Sequence, residues 1–254
     1  AAVPIVVLLR VFAGERRARI DHALELSSAY RGTALLLGDV IEADDAYTGS
    51  HSRDVVELTL AVADKLGLDA TVRRQAEFTA LLHDVGKIRI PQAIVNKTGP
   101  LDAEETAVMR THTIEGEHML LGVGGALGEI GRLVRSCHER WDGKGYPDGL
   151  LTEETPLVSR IVCACDAYNA MTTNRSYRAA LDPESARREP RSNAGTQFDP
   201  TLVRSFLSIS LGRTRKALGP LGWLAHLPDL LRGPVTAIVS SGSGIRGVRS
   251  FISS

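Results

Sequence analysis

Residues 80–91 read ALLHDVGKIRIP, and this stretch constrains the chain more than any other. An apolar helical run, Phe78-Thr79-Ala80-Leu81-Leu82, carries adjacent His83 and Asp84 to its end. Gly86 then breaks the helix and lets the backbone turn away sharply, with Lys87 just beyond. An imidazole and a carboxylate side by side at a helix end can bind the same metal ion. A lysine past the turn can reach an anion sitting on that metal. A His-Asp pair alone is more often a hydrogen-bonded pair than a ligand pair, so this reading depends on ligands elsewhere in the chain.

The rest of the chain is read as helices. Residues 15–45 form one long helix, with Leu24, Leu35, Leu36, Val40 and Ile41 at helical spacing and no proline. A helix over 51–66 follows, with Val55, Leu58, Val62 and Leu66 on one face and His51 in its first turn. The next, 70–84, delivers His83 and Asp84. Pro91 opens a short helix. Asp102 caps another that runs to about Arg110, with Glu105 at the capping-box position. Residues 111–116 precede a helix around His118, residues 122–125 form a loop, and 126–140 are helical. Residues 141–149, WDGKGYPDG, hold three glycines and a proline and define a shaped loop. Residues 156–171 return to a helix, with Asp166 a lone carboxylate among apolar residues. Residues 182–195 give a short helix and a loop, and 201–211 a last helix. Beyond 211 no period persists, and the end is Gly/Ser-rich and irregular. No long alternating strand pattern is present. The expectation is an all-α helical bundle with a long N-terminal helix and an irregular C-terminal tail, divided at 1–45, 46–211 and 212–254.

Composition excludes several function classes. The 30 basic and 30 acidic residues balance, so no global field draws nucleic acid polymers or anionic membranes, and an anionic substrate must be held by local charge. Three cysteines, Cys137, Cys163 and Cys165, give no disulfide framework and fit a reducing cytoplasm. Cys163 and Cys165 read as core. Residues 1–13 are apolar but too short to span a bilayer, which needs ~20 apolar residues. Two readings stand: a short buried segment, or the cytoplasmic end of a membrane helix followed by Arg10, Arg16, Arg17 and Arg19.

Four histidines stand at helix ends or beside glycine breakers: His51, His83, His112 and His138. Asp84 and Asp166 lie in otherwise apolar segments, where an unpaired carboxylate is costly. Neutral imidazoles with carboxylates suit Fe, Mn or Zn, and six such groups suggest two ions sharing a carboxylate. Paired metals suit phosphodiester hydrolysis. Lys87, Arg175 and Arg178 are the candidate phosphate-holding cations. His22, His118 and His226 are read as bystanders.

In order along the chain stand His83-Asp84-x-Gly-Lys87, His112-Thr-x-x-Gly116, His138-Glu-Arg-x-Asp-Gly-x-Gly145-Tyr146-Pro147 and Asp166-x-Tyr-x-Ala-Met-Thr-x-x-Arg175-x-Tyr-Arg178. This set resembles the HD-GYP family of bacterial cyclic di-GMP phosphodiesterases, over about residues 16–211. The resemblance implies an HD-superfamily helical domain with a two- or three-metal site, and hydrolysis of cyclic di-GMP to pGpG or on to GMP. It implies His51, His83, Asp84, His112, His138 and Asp166 as ligands, and Asp84 and Lys87 as catalytic residues. It implies Lys87, Arg175 and Arg178 for the substrate phosphates. Gly145, Tyr146 and Pro147 would edge the substrate or dock diguanylate cyclase (GGDEF) domains. Cys137 and Tyr47 stand where many relatives carry further ligands, so two divalent ions are expected, iron or manganese before zinc. Cys137, on an apolar stripe, reads as core rather than as a soft ligand. Rival expectations are an HD phosphohydrolase for another nucleotide and a non-hydrolytic signalling module. An upstream sensor or membrane part, a cytoplasmic location and a homodimer formed through the first helix complete the expectations.

Overall fold

The structure, a computed structural model, describes residues 15–17, 19, 22, 29–40, 51–173 and 180–217. Residues 29–40 are helical (α1). Then come α2 (His51–Lys65), α3 (Ala70–Leu82), a 3-10 turn (Val85–Arg89), α4 (Gln92–Val95) and α5 (Ala103–Arg110). After these come α6 (His112–Val123), α7 (Gly125–Arg135), a second 3-10 turn (Thr152–Glu154), α8 (Leu157–Thr172), α9 (Pro183–Ser192) and α10 (Pro200–Ala217). Among the described residues there is no strand, only the isolated bridges Asp142–Leu151 and Ala194–Phe198. The all-α expectation therefore holds.

Local chemistry sets the helix starts. Asp69 accepts the amides of Thr71 and Val72 at 2.8 and 3.0 Å and begins α3. Asp102 and Glu105 close the expected reciprocal capping box at the head of α5. Asp182 caps α9 in the same manner as Asp69. Such a cap contributes about 1 kcal/mol, too little to hold a helix without packing. The packing comes from α2, α3 and α8, which lie against one another, with α7 on α3 and α10 on α2 and α8. Val55, Val62, Ile161, Val162 and Phe206 are among the side chains closed off at the centre. Each large one contributes roughly 1.5–3 kcal/mol by leaving water. Tyr168 meets the Phe206 ring edge-on at 4.7 Å. Cys137 is buried in this core, as its stripe implied.

Three boundaries differ from expectation. α6 begins at His112 itself and runs to Val123, so neither Gly116 nor Gly122 breaks it. Gly116 is buried inside the helix, where its missing side chain admits the Val134 and Val85 side chains and the Gly86 backbone. α7 stops at Arg135 instead of 140, and His138 and Glu139 fall in the turn after it. α10 continues through Leu211 to Ala217. Residues 15–17, 19, 22 and 29–40 are helical; the remainder of the stretch expected to form one long helix over 15–45, and residues 218–254, lie outside the described residues. So do Tyr47, Arg175 and Arg178. No helix of the described residues is long and apolar enough to cross a membrane.

Gly86 matters for a reason other than chain reversal. It lies within the 3-10 turn Val85–Arg89, without a positive φ. A Cβ built there would stand 1.8 Å from the His112 carbonyl oxygen and 2.5 Å from the Gly116 amide nitrogen. The glycine lets the turn after Asp84 press directly on the first turn of α6, which brings His112 to Asp84. Both colliding atoms are backbone, so relief requires separating two elements. Gly86→Ala is expected to cost about 3 kcal/mol or more, at the upper end of overpacking effects. Gly99→Ala, at a position with nothing within 4 Å, is expected to change stability by less than about 0.5 kcal/mol. Urea unfolding of the two variants checks both values.

Candidate metal centre

The six predicted ligands converge. His51 begins α2, His83 ends α3, Asp84 leads into the 3-10 turn, His112 begins α6, His138 follows α7, and Asp166 lies in α8. Their donor atoms form two groups of three, His51-His83-Asp166 and Asp84-His112-His138, with atoms in each group within 4.8 Å of one another. Asp84 faces both groups. Its Oδ2 lies 3.4 Å from His83 Nε2, and its Oδ1 lies 3.7 Å from His112 Nε2. Asp166 Oδ1 lies 3.2 Å from His51 Nε2 and 3.9 Å from His83 Nε2.

The imidazoles are aimed by the bonds their other nitrogens make. Nδ1 of His83 pairs with the Ala80 carbonyl at 2.9 Å, and Nδ1 of His112 with the Met109 carbonyl at 2.7 Å. His51 Nδ1 pairs with the Asn169 side-chain oxygen at 2.6 Å. An oxygen partner requires Nδ1 to donate, which leaves Nε2 as a lone pair directed into the cluster. The Nε2 atoms of His83, His112 and His138 are buried without a hydrogen-bond partner. A buried nitrogen lone pair without a donor is costly, and three aimed at carboxylates fit a divalent cation. The donor set of imidazole and carboxylate, with no thiolate, suits an ion of borderline hardness.

Electrostatics favour neutral imidazoles at His112 and His138 and ionised carboxylates at Asp84 and Asp166, and act in the opposite direction on His51. Burial, with the neighbouring His138, lowers the His112 pKa to about 3, and burial also lowers that of His138, so both rings are neutral near pH 7. Burial alone would raise Asp84, but Lys87 and the surrounding imidazoles hold its carboxyl well below the usual range. Burial opposes ionisation of Asp166 too, and the His51 hydrogen bond and nearby imidazoles outweigh it. Burial opposes charge on His51 as well, yet its bond to Asp166 and the charge there leave its pKa raised. Lys87 Nζ stands 2.9 Å from Asp84 Oδ2, at the rim where an anion would approach.

The Gly-Tyr-Pro loop covers one side. Tyr146 stacks on His138, with centroids 5.1 Å apart and planes 9° apart, and its peptide bond to Pro147 is cis. A Cβ on Gly145 would come within 2.4 Å of the Arg140 amide nitrogen, so only glycine lets the loop lie this close to the 138–140 turn. Glu139 is buried, and its carboxylate accepts the amides of Asp148, Gly149 and Leu150 at 2.7, 3.1 and 3.0 Å. It is not a surface partner of Arg140, which pairs with Asp142 instead. Asp148 accepts a two-pronged contact from Arg135.

Two further residues here carry little or no mark in the sequence. Asn169 stands three positions beyond Asp166 on the same helix face, and that spacing was the available signal. Arg110 stands two residues before His112 with nothing in the sequence to mark it. Its guanidinium lies over the Tyr146 ring at 5.1 Å.

The chain belongs to the HD domain family, whose model matches residues 36–202. Its curated relatives include several cyclic di-GMP phosphodiesterases. It is 35% identical over 175 residues to a cyclic di-GMP phosphodiesterase of Thermotoga maritima, covering 68% of this chain and 48% of that one. It is 33% identical over 189 residues to a 3'3'-cGAMP-specific phosphodiesterase of Vibrio cholerae, covering 74% of this chain and 36% of that one. The chain spans about half the length of the first of these relatives. In fold it is similar to the solved cyclic GMP-AMP phosphodiesterase of V. cholerae, with a TM-score of 0.54 at 18% identity over 78% of this chain and 51% of the other. HD domains depend on divalent metal ions, and these His/Asp groups could hold a metal ion.

Asn169→Ala removes the acceptor that holds the His51 ring, and is expected to weaken metal retention by about 10–100-fold, read by competition with a chromophoric chelator. Stability should also depend on pH. The unfolded chain protonates His112 near 6.5 while the folded one does so at about 3. Between those values the unfolded state binds more protons, so stability rises with pH. Metal-free protein is expected to lose up to about 1.4 kcal/mol per pH unit from this group on acidification through that window. Urea melts across it should show a shallower slope for His112→Gln.

Proposed function

We propose that this chain is the catalytic domain of a metal-dependent phosphodiesterase that hydrolyses cyclic di-GMP, releasing pGpG or continuing to GMP. The single observation that carries the proposal is Asp84 facing two three-ligand groups at once, one oxygen toward each. That arrangement fits two divalent ions sharing Asp84, held by His51, His83 and Asp166 on one side and His112 and His138 on the other. Iron or manganese suit these ligands foremost, with zinc third. Such ions, when bound, supply Lewis-acid charge at the phosphoryl group and an activated water.

The chain's own residues do the rest. Lys87 offsets negative charge on the phosphoryl oxygens as phosphorus is attacked, and fixes the Asp84 carboxylate by its direct contact. Tyr146 holds the His138 ring by stacking and shields that side from water. Arg175 and Arg178 are assigned to the phosphates by motif. The Gly145-Tyr146-Pro147 loop edges the substrate and is the surface assigned to GGDEF partner domains. The chemistry is placed in the cytoplasm, within a longer protein whose sensor part sets its activity, and the first helix pairs two copies.

A second reading, cleavage of a mixed cyclic GMP-AMP, is supported by the Vibrio cholerae relative named for that specificity. Turnover of cyclic di-GMP, cyclic GMP-AMP and linear pGpG by one preparation separates the readings. Asp84→Ala is expected to lower cyclic di-GMP hydrolysis by at least about 1,000-fold, since it removes the shared carboxylate and a site for charge stabilisation at once. Exhaustive chelation should do the same, with recovery on adding manganese or iron. Hydrolysis that survives both treatments rules the mechanism out.

A further inference from the structure

We infer that Arg110 is a substrate-positioning residue: its guanidinium, held against Tyr146 at the edge of the metal centre, takes the phosphate of a cyclic dinucleotide that is not being cleaved. This rests on the proposed phosphodiesterase activity and adds a binding group to it. Arg110 is the last residue of α5, and two residues on, His112 opens α6. Its guanidinium carbon lies 5.1 Å from the Tyr146 ring centroid, and that ring is 5.1 Å from His138 and 6.3 Å from His112. The positive charge therefore stands within one nucleotide's reach of the Asp84-His112-His138 group, yet outside it.

Arginine on a protein surface commonly rests on a carboxylate. Here the nearby carboxylates are otherwise engaged: Asp84 with Lys87, Glu115 with Arg89, Glu117 and Asp148 with Arg135, and Glu105 with Lys97. Among the described residues Arg110 makes no ion pair. Its contact is the aromatic face, which attracts a cation without using its N–H donors. A guanidinium so held keeps its donor fork for a second ligand, and that fork matches the paired oxygens of a phosphate. Arg110 is also exposed, so an incoming anion reaches it without displacing protein. A cyclic dinucleotide carries two phosphodiesters. While one lies at the ligand groups, the other needs a cation at the rim, and Arg110 supplies it.

The test compares two substrates on metal-loaded protein. Cyclic di-GMP has a second phosphate to anchor, whereas bis(p-nitrophenyl) phosphate has one phosphodiester and none to spare. Arg110→Gln is expected to raise the KM for cyclic di-GMP about 10–100-fold, the range for losing a charge-assisted contact, with kcat changed far less. The loss in kcat/KM should be at least about ten times greater on cyclic di-GMP than on the small ester. Arg110→Lys, which keeps the charge and loses the fork, should recover part of it. Equilibrium binding of cyclic di-GMP to metal-free protein should weaken in parallel in Arg110→Gln. Equal losses on both substrates would make Arg110 a support for Tyr146 and overturn the inference, as would an unchanged KM and an unchanged binding constant. Wild-type protein that cleaves the small ester but neither binds nor cleaves any cyclic dinucleotide would overturn the activity together with it.

Discussion

The site depends on one carboxylate serving two clusters. Asp84 has no place in an apolar interior unless cations or donors surround it. It comes after a helix packed on three others, and it presents an oxygen to His83 on its own segment and another to His112 on α6. Lys87, three residues on, keeps it ionised. Six donors drawn from α2, α3, α6, α8 and two connecting segments meet only if those elements hold their relative positions. The apolar contacts of α2, α3 and α8 are what hold them, so the core acts mainly as a jig for the site.

Aiming is a separate problem from gathering. An imidazole has two nitrogens, and a ligand is useful only when the correct one faces inward. For His83 and His112 the aiming group is a carbonyl three residues earlier, in the last turn of the preceding helix. A helix C-terminus has carbonyls to spare, so a histidine there finds an acceptor without a dedicated partner. His51 Nδ1 pairs instead with the Asn169 side chain on α8, 118 residues away. His83 and His112 thus each use a carbonyl three residues earlier, while His51 uses a side chain from another helix.

Much of this was legible in the sequence, for physical reasons that also mark where legibility stops. Asp69 and Asp102 act on amides two or three residues away, and the capping box at Asp102–Glu105 could be read directly. The six clustered donors could be picked out because imidazoles and carboxylates in apolar stretches are expensive unless used. Gly116 and Gly122 misled, because a glycine in a helix costs only about 1 kcal/mol and the packing of α6 on α7 outweighs it. At Gly131 of α7 the close pass over the Glu117 carbonyl gains from the missing side chain. Gly86 could be seen, but its purpose could not, since the clash it avoids is with a residue 26 positions on. Glu139 and Arg110 act through space on partners that no local pattern reveals, and Asn169 is marked only by its three-residue spacing from Asp166.

Glu139 ties a side chain to backbone and leaves the neighbouring side chains alone. Its carboxylate holds three successive amides, at Asp148, Gly149 and Leu150, and touches none of their side chains in doing so. The path of the loop is therefore separable from the surface chemistry at Asp148 and Leu150, whereas Gly149 stands at φ 69°, a backbone that favours glycine. One residue alone is barred from all of them. Proline, which has no amide hydrogen to offer, can stand at 147 but at none of the next three places.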